Sequence, residues 1–421
     1  LAPHFRDVIV LERDTLPSEP ASRKYVPQSD HVHALIKGGE NMVAALLPGW
    51  RDQMIAAGAV LTRAGTQSRW FEGNAWQPER DLGVTMLTQS RPLLEWTMRR
   101  ALLRFPNVAV RDQQEARGLV VDSAGVATGV RLRSGDVLDA ALIIDASGRG
   151  GRLPRWLKEV SNEDVPVESC GMDIGYVTAI FERNADWAGV PHACILRPSL
   201  PTTRTGSLIT IEGDRWLLTL TGRFGDFAPT DLPGFLEFAR SLCTPEIADI
   251  VSASKLVSPI RRYRMPTAQW RRFDKMATFP DRVLPVGDVV AHFNPIYAQG
   301  MSVAAGHASA LGGVLRSLAG RESSGSDVDW QDVRARYFGA ALSWTESAWL
   351  ASTTGDLAIE KTRGERPPDL AARLAFAESL RLASRDPELH RLVFRVRQWL
   401  EPASRLREPE FLERLQRLSS K

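Results

Sequence analysis

The chain has 421 residues, 43% hydrophobic and 24% charged, with a formal net charge of +3. That length fits two or three packed units rather than one core. Interspersed charges of both signs argue against a nucleic-acid-binding stripe, and no run of about 18 uninterrupted apolar residues exists, so no membrane span is expected.

In chain order, residues 1–5 read as the tail of a helix. Residues 7–12 (Asp-Val-Ile-Val-Leu-Glu) read as a buried parallel strand ending in an acid. Helices are expected over 38–47 and 93–105. The mixed stretch 60–84, with Trp70 and Trp76, leaves the first domain and returns. Residues 116–121 and 126–132 flank Asp-Ser-Ala-Gly, a hairpin signal. Residues 139–145 form a second buried strand ending in an acid. Strands over 176–181, 207–211 and 216–220 predict an antiparallel sheet. Residues 283–286 form another short buried strand, followed by a loop and a long helix from about Gly300. Beyond Asp329 the pattern is helical, punctuated by Pro367-Pro368. No internal repeat or low-complexity tract is visible.

The three cysteines, Cys170, Cys194 and Cys243, are widely spaced and form no metal or redox pair, so a reduced cytoplasmic setting is the default. All but seven of the 53 basic residues are arginines, which with abundant alanine suggests a GC-rich bacterial genome.

Glu12 ends its strand as the ribose-binding acid does in a dinucleotide-binding βαβ unit. Such an acid follows a Gly-x-Gly-x-x-Gly loop by about 20 residues, yet only eleven residues precede Glu12. The expectation is a fragment, or a wrongly assigned start, lacking the first strand, its glycine-rich loop and helix. Gly148-Arg149-Gly150-Gly151 is no substitute, because it follows the wrong strand and position 153 is leucine.

A stronger signal lies downstream. Residues 283–288 read Val-Leu-Pro-Val-Gly-Asp, and 293–301 read Phe-Asn-Pro-Ile-Tyr-Ala-Gln-Gly-Met. An aspartate after a strand can bind polyol hydroxyls. Pro295 and Gly300 shape a loop that opens a helix, whose free amides and partial positive charge suit an anionic ring edge. This segment resembles the second FAD motif of the p-hydroxybenzoate hydroxylase and squalene epoxidase-like monooxygenases. The resemblance implies that Gly287 and Asp288 bind FAD, Asp288 at its ribityl chain, with Pro295, Gln299, Gly300 and Met301 beside the isoalloxazine ring.

Other segments agree in order. Asp145-Ala146-Ser147-Gly148-Arg149 resembles the family's Asp-Gly motif, credited with contacts to FAD and NADPH; a plain strand-to-turn reads the same way. Ser90-Arg91-Pro92 resembles the helix start that supplies an arginine, here Arg91, to the flavin; it equally suits a capped surface helix. Glu12-Arg13 and the run from Arg23 to Leu35 resemble the ribose end and the segment along the cofactor. His31-x-His33 has no third ligand cluster, so packing beside the cofactor is favoured over metal. Residues 261–272 resemble the run back into the cofactor domain. One departure is Ala298, where the family usually has glycine; a positive φ there would cost an alanine about 1 kcal/mol.

The resemblance implies an α/β protein: a Rossmann-like FAD-binding domain (1–65, 85–164 and 275–329), interleaved with an antiparallel β-sheet substrate domain (66–84 and 165–274), then a helical C-terminal region (330–421). It implies FAD as cofactor, NADPH or NADH as transient reductant, and molecular oxygen as co-substrate. The substrate would be a hydrophobic small molecule with an aromatic ring or alkene, of natural-product or secondary metabolism. Trp187, Phe181, Trp216 and Phe224 suit such a substrate, or a plain core. His192 and Tyr176 lie in the substrate region, but neither is singled out as a base. The C-terminal helices would cover the active site or form a homodimer surface. Alternatives on the same scaffold are an isoprenoid reductase, a halogenase (the Trp-x-Trp-x-Ile-Pro signature is absent from the sequence) or a flavin-free relative.

Overall fold

A computed structural model describes residues 1–183, 189–318 and 328–419. The architecture is mixed α/β. Strand Val8–Leu11 runs parallel to Val108–Arg111, and Ile143–Asp145 runs parallel to Val283–Pro285. Among the described residues, Val8–Leu11 and Ile143–Asp145 each have one strand neighbour, and both line the same cavity. Helices Lys37–Leu46, Trp50–Ala56 and Arg91–Leu102 bury Val43, Trp50, Met54, Leu93 and Leu94 together with Ala305 of helix Gly300–Leu318. Gly39 permits the close crossing of two of these helices, because any Cβ there would run into Ser302.

The second unit is a seven-stranded sheet. Its spatial order is Arg261–Met265, Ile174–Glu182, Arg215–Arg223, Thr205–Ile211, Ala193–Pro198, Ser68–Gly73 and Ala75–Trp76. All pairings are antiparallel except Ala193–Pro198 with Ser68–Gly73. Side chains alternate between faces. On one face Val177, Phe181, Leu208, Trp216, Leu218 and Leu220 pack against helices Leu232–Arg240 and Glu246–Ser252. The other face looks into the cavity. Phe181 and Trp216 are therefore core residues on the far side of the sheet, 1% and 0% exposed. Phe224 sits in the turn after its strand at φ 55° and does not line the cavity. Trp187 lies outside the described residues.

Helix Trp330–Leu357 lies along Gly300–Leu318, burying Leu311, Val314, Val333 and Tyr337; the Tyr337 hydroxyl donates to the Pro285 carbonyl at 2.6 Å. Helices Leu370–Ser379, Pro387–Arg397 and Pro409–Ser419 build a small core of their own around Leu389, Val393, Leu406 and Phe411. Gln398 joins this unit to the rest. Its side-chain oxygen accepts from the Lys37 amide at 2.9 Å and its carbonyl accepts from the Gly38 amide at 2.7 Å. Helix Lys37–Leu46 has no side-chain cap at Ile36, so a residue some 360 positions away satisfies its start.

Local expectations differ from the structure in two places. Residues 1–5 form a turn rather than a helix tail. The stretch 139–145 is split: Val137–Asp139 completes the hairpin sheet, and only Ile143–Asp145 joins the parallel pair. One apolar run thus serves two sheets, which periodicity alone cannot divide. No helix among the described residues is long and apolar enough to cross a membrane.

Candidate cofactor and substrate site

One cavity of about 3410 Å³ lies between the parallel strand pairs, the sheet and the C-terminal helices. Glu12, Arg13, Arg23, Arg91, Asp145, Asp288, Pro295, Gln299, Gly300 and Met301 all line it. Gly287 does not. It turns at φ 74°, its amide donates to His307 Nδ1 at 3.1 Å, and an added Cβ would crowd Ala304. Because Nδ1 accepts, His307 presents its other nitrogen to Thr345 Oγ1 at 2.8 Å, and burial lowers its pKa to about 4, keeping it neutral.

The loop 294–299 is built by its own residues. Asn294 caps the short turn Pro295–Tyr297, accepting from the Ile296 amide at 3.2 Å, with Pro295 preset at the first position. Ala298 then takes the left-handed conformation at φ 56°, and helix Gly300–Leu318 starts at the cavity wall. The space beside Gly300 is open: beyond its own helix and chain neighbours, a Cβ added there would meet only Asp288 Oδ1, at 3.6 Å. Asp288 is partly covered, because it faces the cavity, yet it sits deep in the protein. Burial raises its carboxyl to about 6, against the pull of Arg91, Arg149 and Arg271. Arg271 fixes the two strand ends relative to each other, donating to the carbonyls of Val289 at 2.8 Å and Arg149 at 2.9 Å. Arg91 lies one residue after the Ser90 cap, whose hydroxyl accepts from the Leu93 amide at 3.2 Å. The capped-helix reading and the cavity-facing arginine are both realised.

At the other end, Glu12 pairs with Arg23 at 2.7 Å, and Arg23 also meets Glu95 at 2.7 Å. The guanidinium of Arg13 stacks over the Tyr25 ring at 4.4 Å. Asp145 accepts from the Ser147 amide at 2.8 Å, while its Oδ2 and the Gln299 Oε1 are buried without a partner among the described residues.

Sequence reading missed the group that braces the loop. Asp356, from the C-terminal half of helix Trp330–Leu357, pairs with Arg223 at 2.8 Å and accepts from Asn294 Nδ2 at 2.8 and 3.1 Å and from the Tyr297 hydroxyl at 3.4 Å. Arg223 and Asp356 are 6% and 1% exposed. Burial raises the Asp356 carboxyl, opposed by Arg223. Nothing local marks Asp356 as special, since it lies in an ordinary helical run. Of the two substrate-region candidates, Tyr176 lines the cavity and donates to Asn294 Oδ1 at 3.3 Å, with burial holding its phenol well above the ordinary value. His192 does not line it. His31 packs between Tyr176 and Tyr263 and meets Thr178 Oγ1 at 2.6 Å, and His33 Nδ1 meets the His31 carbonyl at 2.9 Å. No metal-holding cluster occurs among the described residues.

No protein-family model matches the chain. It is similar to Protein Rv3254 of Mycobacterium tuberculosis (strain ATCC 25618 / H37Rv), with 28% identity over 413 residues, covering 92% of this chain and 84% of that one. Among solved structures it is similar to PqsL, a probable FAD-dependent monooxygenase from Pseudomonas aeruginosa, with TM-score 0.63 and 16% identity over 84% of this chain and 90% of that one. It is also similar to the flavin-dependent brominase Bmp2, with TM-score 0.65 and 14% identity over 93% of this chain and 87% of that one. At these identities the likeness defines the fold, which is the one shared by these flavin-dependent proteins.

Proposed function

We propose that this chain is an FAD-dependent monooxygenase that uses NADPH or NADH and inserts one oxygen atom into a small molecule carrying an aromatic ring or alkene. The observation that carries the reading is Asp288: a deep carboxylate facing a large cavity, ringed by Arg91, Arg149 and Arg271, beside the open space at the start of helix Gly300–Leu318. A half-buried carboxyl without a direct ion pair calls for hydrogen-bond donors, which ribityl hydroxyls would supply. The helix start offers amides and a partial positive charge to the ring edge. Bound FAD would supply the redox and oxygen chemistry; the protein's part is to bind, orient and exclude water. Glu12, with Arg13 and Arg23 around it, is the group we assign to the adenosine ribose.

Pyrophosphate binding on this reading needs a glycine-rich turn after a strand. The singly paired edges of Val8–Leu11 and Ile143–Asp145, both at the cavity, are where we would set such a strand. A second reading, a halogenase, rests on the likeness to Bmp2.

The test is flavin content and NAD(P)H turnover of the protein. The proposal expects FAD to be retained by wild-type protein and lost from Asp288→Ala, and expects substrate-stimulated NAD(P)H oxidation that needs oxygen and no halide. Equal flavin content in both proteins would remove the proposed site. Turnover that requires halide would favour the halogenase, and turnover without oxygen a reductase.

A further inference from the structure

The cavity face of the seven-stranded sheet changes character along its strands. At one end Ala193, Ile195 and Ile209 line the cavity as part of an apolar cluster whose other members, Ile211 and Leu217, are buried away from it. Towards the loop 294–299 the same face becomes hydroxyl-bearing. Strand register sets Thr205 opposite Thr221 and Thr221 opposite Tyr176; one step along the strands, Ser207 lies opposite Thr219. All five line the cavity. Thr219 is held by its neighbours, meeting Thr178 Oγ1 at 2.6 Å and accepting from the Val32 amide at 3.0 Å. Among the described residues, the hydroxyls of Thr205, Ser207 and Thr221 have no hydrogen-bond partner, although Thr221 is only 4% exposed.

This belt adjoins the loop directly. Tyr176 donates to Asn294, and Arg197, on the same face, donates to the Ile296 carbonyl at 2.6 Å. A hydrocarbon laid there would strip water from hydroxyls and return no hydrogen bond, which is unfavourable.

We propose that the substrate is a flat ring system bearing carbonyl or hydroxyl oxygens along one edge, held by Thr205, Ser207 and Thr221. This narrows the class of substrate and rests on the reading above that places the reacting ring at the loop 294–299. Ala193, Ile195 and Ile209 take the hydrocarbon edge of the molecule, and the belt its oxygens.

The experiment compares binding of a dihydroxyanthraquinone and of anthracene, followed by quenching of protein fluorescence, with FAD content read in the same samples. Wild type is expected to bind the quinone at least tenfold tighter. Thr205→Val with Thr221→Val should lose that preference by weakening only the quinone. Ser207→Ala, which removes one oxygen and leaves the β-branched positions intact, should lose part of it and serves if the double variant melts early. Equal affinity for both probes in wild type, or equal weakening of both in the variants, overturns the proposal. A quinone preference in protein that takes no FAD would uphold the belt and sink the monooxygenase reading. Bound FAD without the preference would do the reverse.

Discussion

The two walls of the cavity are assembled in opposite ways. The loop wall, residues 287–301, comes from one contiguous segment that carries its own cap, its own turn and its own helix start. The sheet wall is convergent. Its hydroxyls come from three strands, joined only by register, and the residue that braces both walls, Asp356, comes from a helix of the C-terminal half. A contiguous wall can be read from a short string of residues; a convergent one exists only after the chain has folded.

The largest expected effect tests the brace between the walls. Asp356→Ala leaves Arg223 buried without its counter-charge and frees Asn294 and Tyr297. A cost of about 3–5 kcal/mol in stability is expected, read as a lowered melting temperature, with Asp356→Asn losing less because it still offers Arg223 an oxygen. Loss of no more than about 1 kcal/mol would show that the walls stand independently.

Trp216→Ala separates the two faces of the sheet. Removing a fully buried Trp should cost about 3–5 kcal/mol through the cavity it leaves. At temperatures where the variant stays folded, flavin content should be unchanged. A selective loss of flavin with normal melting would mean that this face is not core.

Asp288 sharpens the loop wall through pH. Its carboxyl, raised to about 6, lies above the ordinary value near 3.9, so the folded protein holds that proton more tightly than the unfolded chain does. The stability this gives is fully present below about pH 4 and is lost as pH rises through about 6. At about 1.4 kcal/mol per pH unit the decline reaches about 3 kcal/mol at most. The difference in melting temperature between wild type and Asp288→Asn should follow that window in flavin-free protein. A flat difference from about pH 4 to about pH 7 would contradict the burial argument.

The smallest effect is at Ala298. Its left-handed backbone costs an alanine roughly 1–2 kcal/mol, partly offset by the greater unfolded-state freedom of glycine, so Ala298→Gly should stabilise by up to about 1 kcal/mol. Destabilisation would mean that the methyl group packs usefully in the loop.

What can be read from the sequence follows the same division. The short apolar strands, the Ser90 cap and the Asn-Pro turn are local decisions, and the structure forms them where the residues ask for them. Ala298 stands out in the sequence only through the family resemblance, which expects glycine there; its left-handed backbone is visible only in the structure. Phe181 and Trp216 suit a substrate on paper because aromatic content carries no information about which face of a sheet meets solvent; that depends on where helices Leu232–Arg240 and Glu246–Ser252 dock. The partner of Gln398 and the four contacts of Asp356 depend on separations of tens to hundreds of residues, beyond any periodic pattern.

The central claim is that the corner between Asp288 and Gly300 receives a flavin ring and its polyol tail. Riboflavin isolates that claim, since it carries the ring and ribityl chain without pyrophosphate or adenosine. Titrated into the protein, riboflavin should lose fluorescence as it binds, and Asp288→Ala should bind it about ten- to a hundredfold more weakly, the loss expected for hydrogen bonds to a charged group. Riboflavin whose fluorescence is untouched by wild-type protein, or quenched equally by wild type and Asp288→Ala, would contradict the account.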